Sequence, residues 1–160
     1  MNIHVIRHAT QAFAEVIKAE GESACARGIA ICFDCRVNSE RFAHEAASVM
    51  AANGIHVRIF DALRPTPELS FAVRDKHAIA GVMITASHNP KQWNCLKLLN
   101  SRGEFLSAAD GEQVLKLAAK EEFEYAEVDE LGTVVEKDYT PYHINQVLAL
   151  KLVNRDAIAQ

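Results

Sequence analysis

The sequence predicts an α/β fold, a three-layer α/β/α arrangement around a mixed, mainly parallel sheet. Short, apolar-rich runs at 28–33, 55–60 and 79–85 read as strands buried on both faces. Segments with helical apolar spacing alternate with them, which implies parallel pairing through right-handed crossovers. The 160 residues, 49% hydrophobic and 24% charged, match an ordinary globular chain of one domain that needs no disulfide or metal to hold its core.

From Asn2 to Glu20, Ile3, Ile6, Phe13, Val16 and Ile17 recur at helical spacing, and Gly21 can end that helix. Gly28 to Phe33 is a buried strand ending at Asp34. Ser39 can cap a helix to Asn53, with Phe42, Ala46, Val49 and Met50 on one face and Gly54 at its end. Ile55 to Phe60 is the second strand. Pro65 and Pro67 stiffen a loop, and Glu68 to Asp75 suits a helix with Pro67 in its first turn. Ile79 to Thr85 is the third strand. Asn100 to Gly103 signals a turn, so Cys95 to Leu99 is a hairpin or edge strand. Ser107 caps a helix to about Lys120. Glu121 to Glu136 is acidic and poorly periodic, which predicts a surface excursion, and Tyr139 to Val153 returns to helical spacing. A domain over 1–138 is therefore expected, with 139–160 a C-terminal helix that docks or links.

A net charge of −4 without clustered Lys and Arg argues against a nucleic-acid partner. No apolar run approaches the roughly 20 residues of a membrane span, and Met1 to Gly21 lacks the build of a signal peptide. A cytoplasmic protein that does not meet the membrane is expected. Cys25, Cys32, Cys35 and Cys95 are too few for a disulfide framework and read as free thiols.

The chemistry concentrates in Thr85-Ala86-Ser87-His88-Asn89-Pro90, a polar turn directly after the third strand. Open parallel sheets collect ligands beyond the carboxyl ends of their strands, so Ser87 is the first candidate nucleophile. A serine hydroxyl needs help near neutral pH. His88 can exchange a proton, Asn89 can orient an oxygen, and Lys97 can place positive charge beside a transferring phosphoryl group. The plain alternative is a turn built from good turn residues.

That string, with Trp93-Asn94 and Lys97 following in order, resembles the phosphoserine loop of the α-D-phosphohexomutases, the phosphoglucomutase and phosphomannomutase family. The resemblance runs over roughly residues 2–120. Ala9-Thr10-Gln11 resembles the family's opening helix, Asp34-x-Arg36-x-x-Ser39 its turn after the first strand, and Thr66-Pro67 with Phe71-Ala72-Val73 the segment before its third. It implies domain I of such an enzyme, with Ser87 the phosphorylated residue that exchanges its phosphoryl group with a hexose phosphate or hexose bisphosphate. It implies that Lys97 and His88 serve catalysis and that Arg36, Asn89 and Asn94 bind substrate or phosphate. It also implies a magnesium ion on the Ser87 phosphate.

The family's Asp-Gly-Asp-x-Asp-Arg metal loop does not occur; Asp110-Gly111-Glu112 is the nearest string. The chain therefore resembles domain I alone, inactive by itself, and self-association through surface that further domains would cover is an accompanying expectation. A non-catalytic, sugar-phosphate-binding or self-associating domain is the alternative. Cys95 stands where the family has Gly, which predicts backbone strain there if the turn needs positive φ. Val5 to Ala9 invites comparison with histidine phosphatases, but the helical spacing around Arg7 and His8 favours a surface pair on a helix. Cys32-x-x-Cys35, with Cys25 or His44, could suit redox or zinc chemistry, yet Cys32 fits as a buried apolar residue. His4, His56, His77 and His143 are scattered, and the acidic 121–130 run reads as a solvated face.

Overall fold

The computed structural model describes residues 1–159. Strands β1 (Ile29–Phe33), β2 (Val57–Phe60) and β3 (Ala80–Ile84) fall on the three apolar runs. With β4 (Leu96–Leu99) and β5 (Val134–Lys137) they form a five-stranded sheet in the order β4-β3-β1-β2-β5. β1 is parallel to both neighbours, Ile31 lying opposite Ile59 and Val82. β4 runs antiparallel to β3, with Lys97 opposite Met83, so the sheet is mixed and mainly parallel as expected.

Every residue of β1 and β3 is buried because helices cover both faces. Helices α1 (Ile3–Ala19), α3 (Ser39–Ala52) and α5 (Ala108–Lys120) enclose the larger core, where Phe13, Ile17, Phe42, Met50 and Val114 meet Ile29, Ile31 and Ile84. Helix α4 (Thr66–Asp75) closes the other face over Ala30, Cys32, Met83 and Leu99. Between α1 and α3, Gln11 and Asn53 exchange side-chain amide hydrogen bonds of 2.8 and 2.7 Å, so two buried polar groups satisfy each other. Ser107 caps α5 with Asp110 in a capping box.

The structure departs from the sequence reading in four places. A short helix, α2 (Glu22–Arg27), follows Gly21. Gly28 ends it at φ +67°, and a Cβ there would lie 2.2 Å from the His56 carbonyl oxygen, so this glycine lets β1 start beside β2. Asn38, in a left-handed conformation, precedes α3, which leaves Ser39 as its first residue and frees the Ser39 hydroxyl for another partner.

The acidic excursion returns to the sheet as β5, parallel to β2, with Val135 opposite Arg58. Its path is set by backbone bonds that composition does not display: Ala126 N–H donates to Ala52, Gly132 N–H to Ala51, and Val57 N–H to Thr133. The single helix expected over 139–153 is instead α6 (Thr140–Leu148), a turn, and α7 (Arg155–Ile158).

Tyr139 anchors this return. Its side chain is 1% exposed and packs against Phe60 with ring centroids 4.8 Å apart. Beside it Arg64 ties α6 to α4, its Nε donating to Thr140 and facing Glu68 at 3.7 Å. Tyr139→Ala should lower unfolding stability by about 3–5 kcal/mol, the range for deleting a buried aromatic, with Tyr139→Phe nearly neutral. Equal denaturation midpoints for Tyr139→Ala and the parent chain would show that the 133–148 return is not part of the cooperative unit.

Candidate active site

The candidate site is the loop after β3, and its position follows from strand order. β1 and β3 are neighbours, so the turn after β1 and the turn after β3 lie side by side, joined by the Asp34 N–H donating to the Ile84 carbonyl. Asp34 sits at that junction. Its Oδ1 accepts from the Arg36 N–H at 2.9 Å and the Ser39 hydroxyl at 2.8 Å, and its Oδ2 accepts from the Thr85 hydroxyl at 2.6 Å. Thr85 Oγ1 in turn accepts the Ser87 N–H at 3.0 Å.

Arg36 reaches across the same junction. Its Nη1 donates to the carbonyls of Pro90 and Trp93, its Nη2 to those of Ser87 and Asn89, at 2.6–3.0 Å, and its Nε faces Asp34 at 3.5 Å. The planar guanidinium fork therefore gathers four loop carbonyls at once, which a lysine cannot do. The Arg36 donors are thus directed at loop carbonyls.

Asn94 is likewise engaged within the chain. Its amide donates to Ser39 Oγ at 2.8 Å and accepts the Cys95 N–H at 3.0 Å, so it ties the end of the loop to the start of α3. Asn89, by contrast, is exposed, with its backbone N–H held by the Ala86 carbonyl.

Ser87 itself has φ +56°. Left-handed backbone costs a non-glycine residue roughly 1–2 kcal/mol, and it persists where surroundings over-determine it. Here the Thr85 acceptor and the Arg36 clamp do so on either side of the residue. The strain expected at Cys95 is absent, since Cys95 is not among the positive-φ residues and its carbonyl accepts the Thr85 N–H at 3.0 Å. The Ser87 side chain remains exposed, with Oγ 3.4 Å from His88 Nδ1, a distance at which the pair is near but not tightly bonded. Lys97 extends from β4, and its ammonium lies over the Phe105 ring, 5.4 Å from the centroid. Thr85 is the residue that sequence reasoning missed. Its signal was present, because a threonine at a strand end two residues before the serine can reach back to the serine N–H.

Magnesium does not fit this chain by itself. Among the described residues no three His, Cys, Asp or Glu side chains come together in an arrangement that could hold a metal ion. Asp34, the carboxylate nearest the loop, is occupied by Thr85, Ser39 and Arg36. Asp110 is engaged by Ser107 in the α5 cap. The other early candidates separate equally well. Arg7 pairs with Glu45 at 2.6 Å and His8 meets Phe123 edge-on, both on the surface of α1.

Comparison with known proteins identifies the class. Residues 1–125 match the family model described as phosphoglucomutase/phosphomannomutase, alpha/beta/alpha domain I, and the chain belongs to that family. It is 41% identical over 114 residues to the phosphoglucomutase of Staphylococcus saprophyticus, covering 71% of this chain and 20% of that protein. It is 48% identical over 86 residues to the phosphoglucomutase of Staphylococcus aureus strain MRSA252, covering 54% and 16%. A solved structure from Thermus thermophilus, described as a phosphomannomutase, superposes with a TM-score of 0.77 at 25% identity, over 93% of this chain and 32% of that one. A phosphoglucomutase/phosphomannomutase family protein from Burkholderia thailandensis gives 0.81 at 20% identity, over 96% and 33%, and supports the fold. The chain thus spans about a fifth of the curated relatives and a third of the solved neighbours.

Cys32 and Cys35 differ too much to act as a pair. Cys32 is fully buried with Sγ 3.4 Å from the Arg64 carbonyl, and burial pushes its thiol up to about 12, whereas Cys35 is exposed. A raised thiol pKa removes the thiolate at neutral pH. Alkylation at pH 8 should therefore modify Cys35 quickly and Cys32 only on unfolding. Mass mapping that finds both labelled at similar rates in the folded chain would contradict this placement.

Proposed function

We propose that this chain is the phosphoserine-bearing domain of a phosphosugar mutase, with Ser87 as the phosphoryl carrier. The observation that carries the reading is the exposed Ser87 hydroxyl on a left-handed residue whose backbone is fixed from both sides. A carrier must present one oxygen to two successive partners without its loop changing shape, and a pre-organised backbone meets that need.

The transfer is a displacement at phosphorus. With phosphorylated Ser87, a free hydroxyl of a hexose monophosphate attacks the phosphoryl group; the new P–O bond forms on the sugar and the Ser87 P–O bond breaks. The sugar hydroxyl gives up its proton and Ser87 Oγ receives one. The bisphosphate then returns its other phosphoryl group to Ser87 by the reverse exchange. His88, 3.4 Å from Oγ, is placed to exchange that proton, and Lys97 supplies positive charge from the neighbouring strand. Arg36 and Asn94 act by shaping the loop, and Asn89 is the exposed amide left to face a sugar phosphate. A phosphate on Ser87 would offer an oxygen to a magnesium ion, which would neutralise charge during transfer, and no carboxylate cluster among the described residues would complete its shell.

Residues 139–160 suit the docking or linking role expected of them. Ile144, Val147, Leu150 and Leu152 are exposed there, and a further domain or a second copy of the chain would cover them. No helix among the described residues is long and apolar enough to cross a membrane, which accords with a sugar-phosphate substrate met in water.

The test is phosphoryl loading. Incubation with a hexose 1,6-bisphosphate and magnesium should place at most one phosphoryl group per chain, on Ser87, and Ser87→Ala should abolish it. The chain alone should not isomerise hexose monophosphates, and adding the remaining domains of a relative as a separate polypeptide should raise both loading and turnover. Loading at another residue, or none even with the added domains, would refute the carrier role.

A further inference from the structure

A cavity of about 170 Å3 lies on the α4 side of the sheet, over its β2–β5 edge, and shares no lining residue with the serine loop. Arg58, Lys76, Lys137, His56, Val135 and Tyr139 line it. The residues come together because Arg58 pairs across the sheet with Val135, and Lys137 with Phe60, on the face against which Tyr139 packs.

Two features make it more than a dent. First, three of its lining side chains are cationic and none is a carboxylate, in a chain that is acidic overall. Lys76 is paired with Asp75 at 2.6 Å, but neither Arg58 nor Lys137 has a carboxylate partner among the described residues. Arg58 is steadied instead by donating to the Arg27 carbonyl. The ammonium groups of Lys76 and Lys137 lie 5.0 and 5.4 Å from the centroid of one ring, Tyr142, which holds two like charges near each other. Second, Tyr139 lines the cavity with its ring buried, and its hydroxyl makes no hydrogen bond to another side chain or carbonyl among the described residues, so its proton is free for a ligand. Burial raises its pKa to about 12, so the group remains a donor.

We infer that this cavity is a second ligand site, taking a phosphoryl-type oxyanion between Arg58 and Lys137 with the Tyr139 hydroxyl as a hydrogen-bond donor. The volume suits the phosphoryl group more than a whole metabolite, since pockets for complete small molecules run to roughly 300–1,000 Å3. Free phosphate and the phosphate ester of a small metabolite share this chemistry. The inference rests on no part of the phosphoryl-carrier reading.

The experiment is an amide NMR titration of the full chain with inorganic phosphate and, separately, with a hexose monophosphate, against chloride at matched ionic strength. Saturable shifts at Arg58, Val135 and Lys137 are expected. Lys137→Met, which keeps the aliphatic stem, and Tyr139→Phe, which keeps the packing, should each weaken binding at least fivefold, and Ser87→Ala should not change it. Equal affinity for the two probes assigns the site to free phosphate; tighter binding of the ester assigns it to a phosphorylated metabolite. An identical response to chloride, no saturable shift at those amides, or unweakened binding by both variants would overturn the proposal.

Discussion

The bond between Asp34 and Thr85 is the constraint on which the serine loop depends. A carboxylate at the end of β1 and a hydroxyl at the end of β3 can meet only because those strands are adjacent and parallel. Once they meet, the remaining contacts follow from valence. Oδ1 is left for Ser39 and the Arg36 N–H, and the Arg36 side chain is held where its fork reaches the loop carbonyls. Charge-assisted hydrogen bonds of this kind are roughly twice as strong as neutral ones, which helps the loop keep a left-handed serine.

The layers on either side give the loop a rigid base. Ile29, Ile31 and Ile84 are packed under α1 and α3, and Met83 and Leu99 under α4, so the strand ends that carry Asp34 and Thr85 have little freedom to separate. Ser39 joins the helix layer to the sheet, since its hydroxyl donates to Asp34 and accepts from Asn94. The loop is therefore fixed to three elements: β1, β3 and α3. Function placed on a loop so supported keeps its geometry without the loop being buried.

Most of this was legible in the residues, for identifiable reasons. Buried parallel strands display themselves as apolar-rich runs, unbroken in β1 and β3 and interrupted only by Arg58 in β2, so all three were found, and Ser87 stood out as a hydroxyl in the turn after one of them. β5 was hidden because it is a four-residue edge strand, Val134 to Lys137, largely exposed and set among acids. Its pairing is decided by tertiary contacts such as Gly132, whose Cβ would lie 2.0 Å from the Ile55 carbonyl oxygen. Arg36 was singled out for the site, but its four bonds to loop carbonyls were not foreseen, since backbone carbonyls have no signature in a sequence. The αL residue was sought at Cys95 because glycine is the usual occupant of such positions, whereas hydrogen bonds impose it on Ser87.

Hydrogen exchange at the loop amides, compared between the parent chain and Arg36→Ala, tests the clamp most directly. The N–H groups of Ser87, Asn89 and Trp93 are each held by a partner within the loop or its flanks. If Arg36 holds the loop in shape, these amides should exchange at least tenfold faster in the variant, a loss of about 1.4 kcal/mol of local stability, while amides of β1 and β3 keep their protection. Unchanged exchange at all three amides, with the sheet intact, would contradict the claim that the guanidinium pre-organises the serine.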